Sequence, residues 1–509
     1  MRVAAGLLLA GLVQTGVAQP AATPDRWQPV RDAAQRLMKE QGVAGLAVAV
    51  ARDGKIIWEE GFGWANREKM IPATPNTLFS LASISKPITA TGLMILVERG
   101  QIKLDQPAND YLGIGKLTGL AGDASGATVR RVLGHMAGLP LHYQFFYADE
   151  ATRRPPSMDE TIARYGILVT APGETFQYSN LGYGIIDYII SRTSGQSYPD
   201  FMRTRVFVPL GMTHTSVDVP AGLAPYAAER YWPDQRPVSF YTFDHVGASA
   251  VWSSAHDLVR FGMFHLKERL PEQRAILADS SIDEMKKPVA LEAFGQQYGL
   301  GWLIHKSDRG HPLVEHSGGM PGVSTVLDLY PRDDVVITVL TNGSRGWGEV
   351  ASQAASVVLP GYADSLRAEK ARTAKPPEPA RFVAPPELIG TWTGTIRTWM
   401  KTLPFELQVK PGGEVEAQLG EPLKADGSNR DDAELRALVN EVRWEKGVLS
   451  GRFAGQIPTP DVSWVPHTIA FDLHLVGGVL RGQASAQTSD RPVYFSVASY
   501  IELKRRSSP

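Results

Sequence analysis

Two β-prone stretches bracket a long helical middle, and this order constrains the fold of the chain more than any other feature. Residues 43–50, a turn at Asp53-Gly54 and residues 56–64 read as one hairpin. Residues 323–330, the turn Pro331-Arg332-Asp333-Asp334 and residues 335–340 read as an antiparallel second. Between them, residues 181–192 and 256–267 carry helical patterns that form an α-rich lobe, and the alanine-rich 350–358 follows as a helix on the sheet. Strands, helices, strands predict an α+β class, an antiparallel sheet flanked by helices.

With 509 residues, 43% hydrophobic, the chain is long enough for more than one domain. Residues 362–386 turn to Lys, Arg, Ala, Glu and Pro, and Pro376-Pro377-Glu378-Pro379 marks a linker. Beyond it, short β-prone segments at 390–397, 405–409, 468–476, 479–484 and 493–503 predict a small antiparallel barrel or sandwich over 387–509. At the other end, Arg2, an apolar run over 3–13 and Gly16-Val17-Ala18 read as a signal peptide, residues 1–18, which predicts a periplasmic or secreted protein. The apolar run is shorter than the roughly 20 residues a spanning helix needs, so no integral membrane segment is expected after its removal. The first domain then covers residues 19–361.

A formal charge of −1, from 52 basic and 53 acidic residues, argues against a nucleic-acid partner. The absence of cysteine excludes thiol catalysis, disulfides and thiolate metal sites. The eleven histidines show no metal-binding spacing, and no P-loop, dinucleotide fingerprint or G-x-S-x-G elbow occurs. No cofactor or metal is called for.

Three short motifs carry chemistry. Ser83-Ile84-Ser85-Lys86 opens a helix whose apolar residues Ile88, Leu93, Ile95, Leu96 and Val97 bury it and whose stop is Arg99-Gly100. On a helix, i and i+3 share a face, so Ser83 and Lys86 meet. Ser83 at a helix N-terminus would equally serve as an ordinary cap. Pro87 fits only in the first turn, and it biases Lys86 away from helical geometry. Tyr178 and Asn180 follow the turn Pro172-Gly173 and, in an extended segment, project to one side; the alternative is Tyr178 at a core edge and Asn180 as a helix cap. His316-Ser317-Gly318-Gly319 enters the second hairpin, where glycine permits close approach of a substrate or simply makes a turn.

Together these motifs resemble the serine β-lactamase and penicillin-binding-protein superfamily, in the branch of class C β-lactamases, D-alanyl-D-alanine carboxypeptidases, D-aminopeptidases and esterases. The order S-x-x-K, Y-x-N, H-x-G agrees, and Gly134-His135-Met136-Ala137-Gly138-Leu139-Pro140 resembles a further family segment, with Met136 and Ala137 in place of small hydroxyl residues. The likeness runs from about Trp27 to about Leu359. It implies Ser83 as nucleophile, Lys86 and Tyr178 as the proton-handling pair, with either as the base, and Asn180, His316 and Gly318 at the substrate. It also implies an oxyanion hole from the N–H groups of Ser83 and Gly319. A lysine with the usual pKa near 10.4 carries a handicap of roughly 4.6 kcal/mol as a base at pH 7; burial would remove it, whereas a charged Lys86 would instead lower the pKa of Tyr178.

The C-terminal segment resembles the lipocalin-like barrels of some members, with a role in restricting access or binding a partner. His316 stands where many members have lysine, which weakens attraction for a substrate carboxylate. The expected activity is therefore that of an exported serine hydrolase on small-molecule or peptide amides or esters, a D-amino-acid peptidase or an esterase. The alternatives are a true β-lactamase, or a non-catalytic penicillin-binding sensor or cell-wall binding protein. Tyr143, Phe145, Phe146, Tyr147 and Trp252 are candidates to line an apolar acyl site.

Overall fold

The computed structural model describes residues 25–150, 153–268, 270, 272–344, 346–372, 382–420, 436–457, 467–488 and 495–506. The signal-peptide assignment, residues 1–18, lies outside them, as do residues 373–381 of the linker.

The two sequence hairpins join edge to edge. Gly45–Arg52 pairs with Lys55–Asn66 on one side and with Val335–Thr341 on the other, so that Leu46 faces Thr341 and Val50 faces Ile337. The result is a nine-stranded antiparallel sheet, in the order Ala290–Ala293, Gln296–Tyr298, Leu303–Asp308, His311–Met320, Val323–Tyr330, Val335–Thr341, Gly45–Arg52, Lys55–Asn66, Ile71–Pro72.

The period of two decides what covers each face. Leu46, Val48 and Val50 join an apolar cluster with Val30 and Leu37 of helix Gln28–Gln41 and Val350 and Ala354 of helix Trp347–Val358. Ala47, Ala49 and Ala51 point the other way, into the main core. Those small side chains let helix Ala255–His265 lie close, and a Cβ on its Gly262 would stand 2.4 Å from a methyl of Val336. Helix Ser85–Glu98 is buried continuously from Ser85 to Leu96, which fits its interior path beside lobe helix Asn180–Ser194. No helix among the described residues is long and apolar enough to cross a membrane.

Residues Tyr362–Arg372, read from sequence as the start of the linker, form a helix that packs on Trp347–Val358. Its Tyr362 is buried in the apolar cluster, a contact that polar composition hides. Beyond it, nine strands form a nearly closed antiparallel barrel from Gly390–Arg397 to Phe495–Arg505. Its two path ends, Arg436–Leu438 and Asn440–Glu445, are joined through Val439, whose N–H donates to Val415 O at 2.8 Å. Trp392, Phe405, Leu407, Phe453, Phe471 and Ile501 fill the interior.

The barrel is stitched to the first domain. Phe495 and Ser496 pair with Gln144 and Tyr143, and the strand Tyr143–Tyr147 pairs on its other side with Tyr241–Phe243. Lys446 and Glu292 add an ion pair at 2.7 Å, exposed and therefore of small energy.

The Gly262 contact supplies a test of the sheet–helix packing. Gly262→Leu is expected to lower stability by about 1–3 kcal/mol through overpacking against Val336, read as a lower urea midpoint at unchanged slope.

Candidate active site

Strand Phe79–Ser80 turns sharply into a 3₁₀ turn, Ala82–Ile84, which runs into helix Ser85–Glu98. Ser83 therefore sits one turn before the α-helix rather than inside it. The tighter winding aligns i with i+3 still more closely, and Lys86 Nζ lies in hydrogen-bond contact with Ser83 Oγ at 3.0 Å. Ala82 is left-handed, φ +50°, a conformation that costs a non-glycine residue roughly 1–3 kcal/mol. The turn is held on both sides: Leu81 N–H donates to Val251 O at 2.9 Å, and Thr325 Oγ1 donates to Leu81 O at 2.9 Å. Pro87 disturbs nothing, because its missing N–H falls in the unpaired first turn, and Lys86 is helical.

Lys86 is fully buried. Its amine lies within hydrogen-bond reach of three neutral oxygens, Ser83 Oγ, Asn180 Oδ1 at 2.8 Å and Ala248 O at 3.3 Å. It also lies 4.7 Å from the centre of the Tyr178 ring. Burial without a carboxylate partner pulls its pKa well below the usual lysine range. Tyr178 hydrogen-bonds Ser83, yet burial outweighs that bond and raises the phenol above its ordinary value. Desolvation disfavours the charged forms of both Lys86 and Tyr178.

Asn180 is not the cap of its helix. Ser179 caps it, accepting from Gly182 N–H at 2.9 Å while donating to Pro140 O at 2.6 Å. This frees the Asn180 side chain for Lys86. His135 accepts the N–H of Ser179 on Nδ1 at 3.1 Å, and its ring lies 4.4 Å from that of Tyr178. The segment 134–140 thereby props the Tyr178–Asn180 turn.

Ser83, Tyr178, Asn180 and Gly319 border one cavity of about 730 Å³. His316 and Gly318 stand behind its wall. His316 donates from Nδ1 to Ser317 O at 2.7 Å and receives the Tyr298 hydroxyl on Nε2 at 3.1 Å. Burial first, then the nearby Lys86, lower its pKa to about 3, so the ring is neutral. Gly318 allows the strand to press on the Ser83 turn: a Cβ there would lie 2.1 Å from Leu81 O, whereas one on Gly319 would meet open space.

Of the aromatic candidates, Tyr143 and Phe145 line the cavity. Phe146, Tyr147 and Trp252 pack elsewhere, Trp252 under the guanidinium of Arg230 at 4.9 Å and Tyr147 against Tyr241 at 5.4 Å. Trp232, Met320 and Ser249 also belong to the wall. No motif marks these three in the sequence, since they come from a loop, a strand end and the end of the short helix Val246–Ser249.

The profile of the Beta-lactamase family matches residues 30–359. The chain is 30% identical over 321 residues to Penicillin-binding protein 4* of Bacillus subtilis (strain 168), covering 58% of this chain and 67% of that protein. It is 25% identical over 327 residues to Protein flp of Staphylococcus aureus (strain N315), covering 63% and 64%. The chain thus spans about two thirds of the length of these relatives. Among solved structures, the octameric penicillin-binding protein homologue from Pyrococcus abyssi matches with a TM-score of 0.57 and 21% identity, over 94% of this chain and 99% of that one. The Beta-Lactamase/D-Alanine Carboxypeptidase from Pseudomonas syringae matches with a TM-score of 0.56 and 21% identity, over 66% and 99%. At these identities the structural matches speak for the fold.

The two glycines separate packing from access. Gly318→Val, driven into Leu81 O, is expected to cut turnover at least about 100-fold, the usual scale for a displaced oxyanion donor. Gly319→Ala should leave thermal stability unchanged, and circular-dichroism melts beside steady-state rates check both.

Proposed function

The chain belongs to the beta-lactamase family of serine hydrolases, and from that premise we propose that it cleaves ester or D-amino-acid amide bonds through an acyl-enzyme on Ser83. The observation that carries the reading is the buried Lys86 amine, 3.0 Å from Ser83 Oγ and surrounded by neutral oxygens. A neutral amine has two hydrogens for Asn180 Oδ1 and Ala248 O and a lone pair for the Ser83 hydroxyl. Lys86 is then the base, and the handicap of an ordinary lysine is removed by desolvation.

In the proposed cycle, Ser83 Oγ attacks the carbonyl carbon as Lys86 Nζ accepts its proton. The N–H groups of Ser83 and Gly319 receive the oxyanion. Tyr178, hydrogen-bonded to Ser83, gives its own phenolic proton to the leaving oxygen or nitrogen and is reprotonated by the proton held on Lys86, and water then releases the acyl group with the transfers reversed.

Substrate preference follows from charge and surface. His316 is neutral and turned onto Tyr298, and the cavity wall carries Tyr143, Phe145, Trp232 and Met320. Both favour an uncharged, apolar substrate over one that bears a carboxylate beside the scissile bond, which supports esters and D-amino-acid amides over penicillins. Export by residues 1–18, to the periplasm or outside the cell, belongs to the same proposal. The C-terminal barrel would brace this wall, since its Phe495 pairs with Gln144 in the strand that carries Tyr143 and Phe145.

The test is mass spectrometry of the protein with a short-chain nitrophenyl ester, a D-alanyl peptide and a penicillin, beside Ser83→Ala. A transient adduct on Ser83 with turnover of the ester or D-peptide is expected, and none in the variant. Rapid penicillin turnover would instead identify a β-lactamase, a lasting adduct would identify a sensor, and no adduct with any compound would sink the Ser83 assignment.

The pH profile checks the base. Protonation of Lys86 removes it, so kcat/KM should fall as pH drops through the depressed pKa of Lys86, with a slope of one proton. His316, at about 3, adds no limb above about pH 5. Lys86→Arg, which stays protonated, is expected to lose activity by about 1,000-fold or more at every pH.

A further inference from the structure

A second cavity, of about 620 Å³, lies on the opposite face of the sheet from Ser83, roofed by helices Trp347–Val358 and Tyr362–Arg372. Alternation along strand His311–Met320 points His316 toward Tyr298 on the Ser83 side and Glu315 into this rear cavity. Glu315 is in register with Asp328 of the neighbouring strand, and both line the cavity. Two acids directly opposite one another on one face of a sheet repel.

The other acids of the cavity are matched. Arg309 pairs with Asp308 at 2.9 Å and with Glu369 at 3.0 Å, and Arg36 pairs with Glu349 at 2.7 Å. Glu315 receives His305 on one oxygen at 3.0 Å, while its Oε2 is buried without a partner. Asp328 is only 7% exposed, and among the described residues no donor or cation pairs with its carboxyl. Burial, then the charges of Glu315 and Asp308, hold its pKa well above the usual range. Lys370 reaches only the exposed rim. Holding such a carboxyl in its charged form costs several kcal/mol unless a cation supplies the opposite charge.

We propose that the rear cavity binds a small organic cation, a primary amine or diamine, with Asp328 and Glu315 as its counter-charges. An ammonium group has three donors, enough for Glu315 Oε2 and the Asp328 carboxyl together. The Trp347 indole also borders the cavity and offers an aromatic face to a cation. A bare metal ion fits less well. The acids and His305 of this cavity do not bring three ligating atoms within 4.8 Å of one another; among the described residues that grouping occurs only at His142, Asp244 and His245. The space also exceeds what one ion fills.

The proposal does not rest on the chemistry at Ser83, and its test is separate. Isothermal titration of the full chain with 1,4-diaminobutane, and in parallel with magnesium chloride, should show saturable binding of one diamine per chain. Asp328→Asn and Glu315→Gln should each weaken it about tenfold or more, the scale of one charge-assisted hydrogen bond. Ser83→Ala should bind as the wild type does. Removing one of two facing acids should leave the melting temperature equal or higher, so loss of binding in a folded variant is readable. No saturable heat with the diamine, binding of magnesium alone, binding that survives both acid substitutions, or binding lost in Ser83→Ala would each overturn it.

Discussion

Everything at the front of this molecule depends on the burial of one amine. Lys86 is taken wholly out of water, and what it gains in return is three oxygens from three distant parts of the chain: its own turn, the start of helix Asn180–Ser194, and Ala248. A charged lysine in that setting lacks a counter-ion, and desolvation therefore works against the charged form. The same burial raises Tyr178 and lowers His135 and His316, so desolvation disfavours charge on each of these groups.

That arrangement needs rigid surroundings. The left-handed Ala82 keeps its strained backbone because Leu81 is clamped by Val251 and Thr325, and Gly318 lets the strand come close enough for the clamp. The sheet behind it is closed by pairing the first hairpin with the second, so that chain segments far apart in sequence share one register. Alanines on one face and larger aliphatics on the other sort the helices between the two sides.

The strand His311–Met320 serves both cavities. One side chain set, with His316 and Gly318, supports the Ser83 turn, and the other presents Glu315 to the rear space beside Asp328. The barrel makes its own contribution by extending the strand Tyr143–Tyr147, which forms part of the front wall.

Much of this was legible in the residues. The hairpins, the helices at 181–192, 256–267 and 350–358, and the barrel strands at 390–397 and 468–476 carry strong periods, because each buries a defined face. Strands Gln296–Tyr298, Arg436–Leu438 and Asn440–Glu445 carry little sequence signal, since each is short and holds at most two apolar side chains among polar or charged ones. The helix Tyr362–Arg372 was hidden by linker-like composition and by a single buried tyrosine. At the site, local spacing was enough to bring Ser83 to Lys86, while Tyr178, Asn180 and Gly319 were marked by the family resemblance of their motifs. Only the tertiary structure decided that Ser179 and not Asn180 caps the helix, that His316 lies behind the wall, that Trp232 and Met320 replace Phe146, Tyr147 and Trp252 in the lining, and that Glu315 meets Asp328. Spacing within one turn or strand is fixed by backbone geometry, whereas burial, register between strands and the desolvation that shifts a pKa exist only once distant segments have packed.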